Sequence, residues 1–234
     1  MLILAIDTSG ASGGITLAEA DAGSFRVVES AAIAGGTFSA QLIPTLAGLL
    51  KKHGYRAADI GGFAAASGPG SFTGLRVGLS AIKGLAETLH QPIATVSVLE
   101  ALASLSDHRG RIAAAIDAGR KEVFLGIFEK SPEKPAQESD HALLKLREEL
   151  LGRQDFLAAL AAEGPMWVIT ADAAIAELAF TSDSAVQVVT RPTSQDVARL
   201  GANKLLAGET VSVEELDANY LRRSDAELFF KGSR

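Results

Sequence analysis

The chain opens on Leu2-Ile3-Leu4-Ala5-Ile6 and meets its first acid at Asp7. A continuous apolar run of this length, followed by the polar, small Thr8-Ser9-Gly10, predicts a short buried strand over Leu2–Asp7. Gly13–Ala18 and Arg26–Ile33 read as two further strands, each behind a turn-like segment rich in glycine and serine. The period then changes. Over Ser39–His53, Leu42, Leu46 and Leu49 share one stripe, with Ile43 and Leu50 beside it, and the spacing predicts an amphipathic helix. Pro44 is expected near its first turn, where a missing N–H costs least. A second apolar run, 62–66, predicts a strand. Leu75, Leu79, Ile82, Ala86 and Leu89 predict a helix over 73–90, and Pro92–Val96 another strand. The order is βββαβαβ. The first three strands can form a meander, and the later ones join as parallel neighbours through helical crossovers.

After about residue 105 the pattern restarts. Ala113-Ala114-Ala115-Ile116-Asp117 echoes Ile3-Leu4-Ala5-Ile6-Asp7 at an offset of 110, and the same offset pairs Ile15 with Leu125 and Leu17 with Ile127. This points to an internal duplication; two unrelated strand-turn-strand units are the plainer alternative. The second copy reads as less complete: a polar loop over Ser131–Ser139, helices near 142–163, strands 166–170 and 185–190, a helix 194–206, a strand-like Ala218–Leu221 and a polar Arg222–Arg234. The expected division is an α/β lobe over 1–104 and a smaller one over 105–234, whose last segment packs back on the first.

Between the 62–66 strand and its helix lies Ser67-Gly68-Pro69-Gly70-Ser71-Phe72-Thr73-Gly74-Leu75-Arg76-Val77-Gly78. Glycines there let backbone approach another group closely, Ser71 or Thr73 can cap the helix, and unpaired N–H groups at its start favour an anion. A tight strand-to-helix corner with no ligand explains the same residues. The 73–90 helix is apolar around most of its girth, yet it contains Gly74, Gly78 and Gly84. Each costs roughly 1 kcal/mol against alanine inside a helix. That cost is tolerable where backbones must meet closely, either on the chain's own sheet or on a second body. With the 39–53 helix it is expected to form a docking surface from Leu42, Ile43, Leu46, Leu49, Leu50, Leu75, Arg76, Leu79, Ile82 and Lys83.

Composition narrows the chemistry. The 234 residues are 47% hydrophobic and 21% charged, with net charge −6 and no cysteine. Disulfides and thiolate metal sites are excluded. Lys51-Lys52 and Arg222-Arg223 are the densest basic runs, too little to grip a nucleic-acid backbone unaided. His53, His90, His108 and His141 are scattered, with no spacing that makes a helical metal site. No apolar run is long enough to cross a bilayer, and Met1–Asp7 lacks the features of a signal peptide, so the expected location is the cytoplasm.

A doubled βββαβαβ unit, each copy opening on a strand that ends in Asp, resembles the sugar kinase, heat-shock and actin superfamily. That resemblance implies two actin-like lobes, the second degenerate, facing a nucleotide cleft. Asp7, with Thr8 and Ser9, and Asp117 would flank its phosphates and metal, together with Gly68, Gly70, Ser71 and Thr73. As isolated strand-end acids, Asp7 and Asp117 could equally cap their own turns. Three segments carry a narrower likeness: Ile3-Leu4-Ala5-Ile6-Asp7-Thr8-Ser9, Leu42-Ile43-Pro44, and the glycine-rich stretch from Ser67 to Gly78. With Tyr220-Leu221-Arg222, they resemble the bacterial tRNA threonylcarbamoyladenosine biosynthesis family TsaB (YeaZ-like).

The resemblance implies a non-catalytic scaffold needed to modify ANN-decoding tRNAs. It would pair with the catalytic paralogue TsaD and the ATPase TsaE, form a homodimer when alone, and meet tRNA only through the complex. It would hold no cofactor of its own, with ATP or ADP and Mg at the cleft or at the complex interface. Family members often carry His-Ser where this chain has Phe38-Ser39, and Phe38-Ser39-Ala40-Gln41-Leu42 lacks the histidine pair by which the catalytic paralogue holds its metal. No catalytic or metal-binding residue is therefore expected. The alternative is an ATP-using kinase or transferase of the same fold, resting on Asp7 and Asp117. A peptidase is disfavoured, because neither a histidine pair nor a base accompanies Ser9, Ser12, Ser67 or Ser71.

Overall fold

The computed structural model describes residues 1–130, 143–182 and 184–221. β1 (Leu2–Asp7) is buried along its whole length because it is the middle strand of five. β2 (Ser12–Ala20) pairs with it antiparallel on one side and β4 (Ile60–Gly68) parallel on the other. β3 (Phe25–Ala34) and β5 (Ile93–Ser97) form the edges, giving the order β3-β2-β1-β4-β5. A second sheet repeats this plan with β6 (Gly110–Gly119), β7 (Glu122–Lys130), β8 (Leu143–Gly152), β9 (Trp167–Thr170) and β10 (Ala185–Val188), in the order β10-β9-β6-β7-β8. Among the described residues six α-helices accompany them: α1 (Phe38–Lys52), α2 (Phe72–Leu89), α3 (Val98–Ser104), α4 (Arg153–Glu163), α5 (Ala173–Ala179) and α6 (Ser194–Ala207). The architecture is the two-lobed α/β fold of the actin-like class. The second lobe is the reduced one: β9 and β10 are four residues each and α5 is seven.

The layers follow from which side of each strand is apolar. Leu4, Ile6, Ile15 and Leu17 face α1 and α2 in one buried cluster, and Ala113, Ala115, Leu125 and Ile127 face α4 and α5 in another. Between the sheets lies a third cluster built on α3 and α6. α3 packs on β6, β7 and β8 of the second sheet as well as on β4 and β5, whereas α6 covers β1, β2, β4 and β5 of the first.

Four expectations need correction. Residues 143–152 are a strand and not a helix. Leu, Lys, Arg and Glu favour helix, but the open edge of β7 takes this segment into an antiparallel ladder from Glu122–Gly152 to Lys130–Leu143, and tertiary pairing overrides local propensity. The offset of 110 holds for β2 and β7 but fails for β1 and β6. Leu4 and Ile6 face the outer helices, while Ala114 and Ile116 face the central layer, so these strands are out of phase by one residue. The registers say the same: Ile6 lies opposite Ile15, but Ala115, not Ile116, lies opposite Leu125. Pro44 sits inside α1, past its first turn, on the exposed side. Residues 218–221 are not a strand; one backbone bond, Asn219 N–H to Ser67 O at 2.7 Å, stands where a ladder was expected. Ser131–Ser139 and Arg222–Arg234 lie outside the described residues.

Candidate functional site

β1 and β4 run parallel and end side by side, so the turns that follow them meet. Asp7 Oδ1 accepts the Ser9 N–H at 2.8 Å, closing the first turn on itself. Asp7, Thr8 and Ser9 are all buried. Burial pushes the Asp7 carboxyl above the ordinary carboxylate range, opposed by hydrogen bonding from Ser9 and by the nearby Arg191 guanidinium. The glycine-rich turn lies directly on top: Ser71 N–H donates to Ser9 O at 2.7 Å, and the Gly68–Pro69 peptide is cis. Of the two candidate caps, Ser71 serves, its Oγ accepting the Gly74 N–H at 3.2 Å.

Gly74 and Gly78 are explained here. A Cβ on Gly74 would lie 2.1 Å from Thr8 O, and one on Gly78 would lie 2.3 Å from Thr8 Oγ1. Thr8 Oγ1 in turn donates to Gly74 O at 2.8 Å. These glycines seat α2 on the chain's own first turn. Gly84 meets nothing beyond its own chain neighbours and helix backbone: no other described atom lies within 4 Å of where its Cβ would be, and the same holds for Gly48 in α1.

A cavity of about 1310 Å³ opens between the lobes above these turns. Ser9, Gly70, Ser71, Thr73 and Asp117 line it, whereas Asp7 and Thr8 lie beneath its wall and Gly68 faces Leu75 and Asn219. The two aspartates do not present matching carboxylates. Asp7 is buried under the floor, while Asp117 is exposed, its Oδ1 accepting the Gly119 N–H at 3.0 Å. Each aspartate therefore caps its own turn. Among the described residues no three His, Asp or Glu side chains converge as a metal would require. Features that suit an anion are present: Arg76, Arg120 and Arg191 line the cavity, and the buried Ser9 Oγ has no hydrogen-bond partner among the described residues. Nothing local in the sequence marks Arg191, which folding brings to the Ser9–Gly10 turn from far along the chain.

A shallower hollow of about 540 Å³ lies between α1 and α2 and shares Phe38, Ser39, Phe72, Thr73, Arg76 and Val77 with the cleft. At this junction the Arg76 guanidinium carbon stands 3.9 Å above the Phe72 ring. Arg76 Nε donates to Tyr220 Oη at 3.1 Å, and the Phe72 and Tyr220 rings are 5.1 Å apart.

The expected docking residues separate into two groups. Leu42, Leu46, Leu49, Leu50, Leu75, Leu79 and Ile82 are buried within their own lobe and offer nothing to a partner. Ile43 is 51% exposed, Arg76 is exposed and Lys83 is half-buried. The outward surface of the helix pair holds small and apolar residues, Ala40, Ile43, Pro44, Ala47 and Gly48 on α1 with Ser80 and Gly84 on α2, flanked by the exposed polar Gln41, Lys51 and Lys52 of α1 and Arg76, Glu87 and Thr88 of α2.

Residues 31–228 match the family model for TsaD: tRNA N6-adenosine threonylcarbamoyltransferase. The chain belongs to this family. Within it, the chain is similar to the tRNA threonylcarbamoyladenosine biosynthesis protein TsaB of Bacillus subtilis (strain 168), 36% identical over 130 residues, 55% of this chain and 56% of that one. It is similar to the protein of the same name in Escherichia coli (strain K12), at 27% identity over 191 residues, 80% of this chain and 81% of that one. The match thus spans little more than half the length of the Bacillus relative and four fifths of the E. coli one. Among solved structures, an uncharacterized protein from Pseudomonas aeruginosa, described as similar to peptidase YEAZ, superposes with a TM-score of 0.72 at 25% identity. That superposition covers 94% of this chain and 99% of the Pseudomonas one. The TsaB and YeaZ likeness read from the sequence motifs is therefore correct, and so is the two-lobed fold it implied.

Proposed function

We propose that this member of the TsaD family is a scaffold subunit in the formation of threonylcarbamoyladenosine on tRNA. In this reading the outward face of α1 and α2 docks the catalytic paralogue, the ATPase TsaE joins the pair, and two copies of the chain use the same face when the paralogue is absent. Family membership and the names of the relatives support the pathway. The observation that carries the docking face is the pair Gly48 and Gly84. Both lie inside helices, on the exposed side, with no described atom near the missing side chain. An exposed helix-interior glycine costs about 1 kcal/mol with no local return. A partner helix that must come close supplies the return. The absence of histidine from Phe38 to Lys52 supports a partner, and not this chain, as the holder of the catalytic metal.

Purified chain is expected to be inactive on tRNA by itself and to co-elute with the catalytic paralogue on gel filtration. Gly48→Leu with Gly84→Leu should abolish co-elution while the helical circular dichroism and the urea midpoint stay at or above those of the unaltered chain. Normal co-elution of that variant overturns the docking face, and modification by the chain alone overturns the scaffold role.

A second reading places ATP or ADP in the interlobe cavity, supported by the partnerless Ser9 hydroxyl and the three arginines. The residues fit the anionic part of such a ligand better than its metal, since the acids do not converge. Calorimetric titration with Mg-ATP separates the readings: binding with turnover favours a nucleotide-using enzyme, and no turnover favours the scaffold.

A further inference from the structure

After α6 the chain does not leave the surface. Val211 N–H donates to Ile93 O at 2.9 Å beside the edge strand β5, and Ser212 with Glu215 makes a closed turn through two hydrogen bonds of 3.0 and 3.2 Å. Leu216 then plunges into the layer beneath α1 and α2, 1% exposed. Beyond this peg the described backbone has neither helix nor strand, yet its side chains are committed. Asn219 N–H donates to Ser67 O at 2.7 Å at the end of β4, and Asn219 Nδ2 donates to Glu148 Oε2 at 2.6 Å. Glu148 belongs to β8, in the other sheet, and its second oxygen is bonded to the hydroxyl of Ser97, which caps α3 where the chain passes from one lobe to the other. One residue further, Tyr220 takes the Arg76 hydrogen bond and sets its ring at a tilt against Phe72 at the start of α2. Asn219, Tyr220 and Leu221 line the cleft.

We infer that residues 216–221 are a latch: a strap pegged by Leu216, tied to the second lobe at Glu148 and to α2 at Arg76, that sets how far the cleft opens. The physics favours this over passive packing. The two lobes share a large apolar layer at α3 and α6. The strap's tie to the second lobe is polar, rests on one carboxylate, and stands beside the crossing from one lobe to the other, where a change in lobe angle must pass through it. A carboxylate holding two donors across a boundary is worth more than a neutral bond, and removing one donor leaves a partly buried oxygen unsatisfied. The strap also touches the start of α2, so a body docked on that helix and a change in the cleft would be felt through the same few contacts.

Hydrogen–deuterium exchange of the full chain tests this. Asn219→Ala and Glu148→Ala should each raise exchange roughly tenfold or more at amides 219–221, in the turn 68–73, and in Asp117–Arg120 across the cleft, leaving β1 and α6 unchanged. Glu148→Gln, which keeps one acceptor oxygen, should give a smaller rise in the same segments, and guards against a variant that fails to fold. Tyr220→Phe should loosen 72–76 only. Exchange that rises at 219–221 but not at Asp117–Arg120 overturns the latch, as does a rise spread evenly over the whole chain.

Discussion

The first turn of each lobe starts from the same chemistry and ends differently. Asp7 ends β1, Asp117 lies two residues before the end of β6, and both cap the amide two residues on. In the first lobe α2, eighteen residues long, comes down on the turn through Gly74 and Gly78 and buries Asp7, Thr8 and Ser9. In the second lobe α5 is seven residues long, the Asp172 carboxylate accepts the Asp117 N–H at 2.8 Å, and the turn stays open to solvent. The same fold thus yields a sealed turn where a long helix can approach to backbone contact and an open one where it cannot. The sealed lobe also carries the exposed helix-interior glycines Gly48 and Gly84.

Several substitutions would break or sharpen this contrast. The largest effect is expected from Leu46→Asp or Leu79→Asp. Both leucines are buried between their helix and the sheet, so an unpaired charge there should cost about 3–5 kcal/mol and abolish the folded circular dichroism, whether or not a partner is present. Gly74→Ala comes next. Its new Cβ meets a backbone oxygen that cannot swing away, and a loss of about 1–3 kcal/mol should appear as a lowered urea midpoint.

Asp7→Asn is smaller and depends on pH. Because burial raises the Asp7 carboxyl in the folded chain, the folded state holds its proton where the unfolded state has released it. Stability from this group therefore falls as pH rises from the ordinary carboxylate range through the raised value, and the penalty persists above it. An amide at this position does not titrate and should remove that slope, so that the variant gains on the parent with rising pH in denaturation series. The exposed Asp117→Asn should change stability by less than about 0.5 kcal/mol at any one pH. Gly84→Ala is the one change expected to stabilise, by about 0.5–1 kcal/mol, because its site is open. If it also weakens association with the paralogue, the docking face is sharpened to that turn of α2.

Much of the first lobe was legible because its signals are long. β1 and β4 are continuous apolar runs, and α1 and α2 hold their leucine stripes for more than two turns. The cap at Ser71 and the glycine-rich corner follow from local chemistry. β8 was not legible, since its residues prefer helix and only the edge of β7 makes them a strand. Nor was the outward side of α1 and α2 on which the proposed docking rests. A leucine stripe says that a helix is buried on one face but not against what, and the outward side mixes alanine, proline and glycine with polar residues, which carry no stripe. Glu148, Asn219 and Arg191 gave no local pattern at all, because the contacts that give them meaning join positions dozens of residues apart.

The crossing of α3 and α6 has one more consequence. Each closes a half of the chain, yet α6 roofs the other half's sheet and α3 leans largely on the sheet that follows it. A polypeptide ending near residue 104 would leave Ile3, Ala5 and Ala64 without their cover, and one beginning there would strip Ile112 and Ala114 of theirs. Neither piece carries its own complete cover, so each half of the chain finishes the core of the other, and the two halves are expected to fold only as one unit.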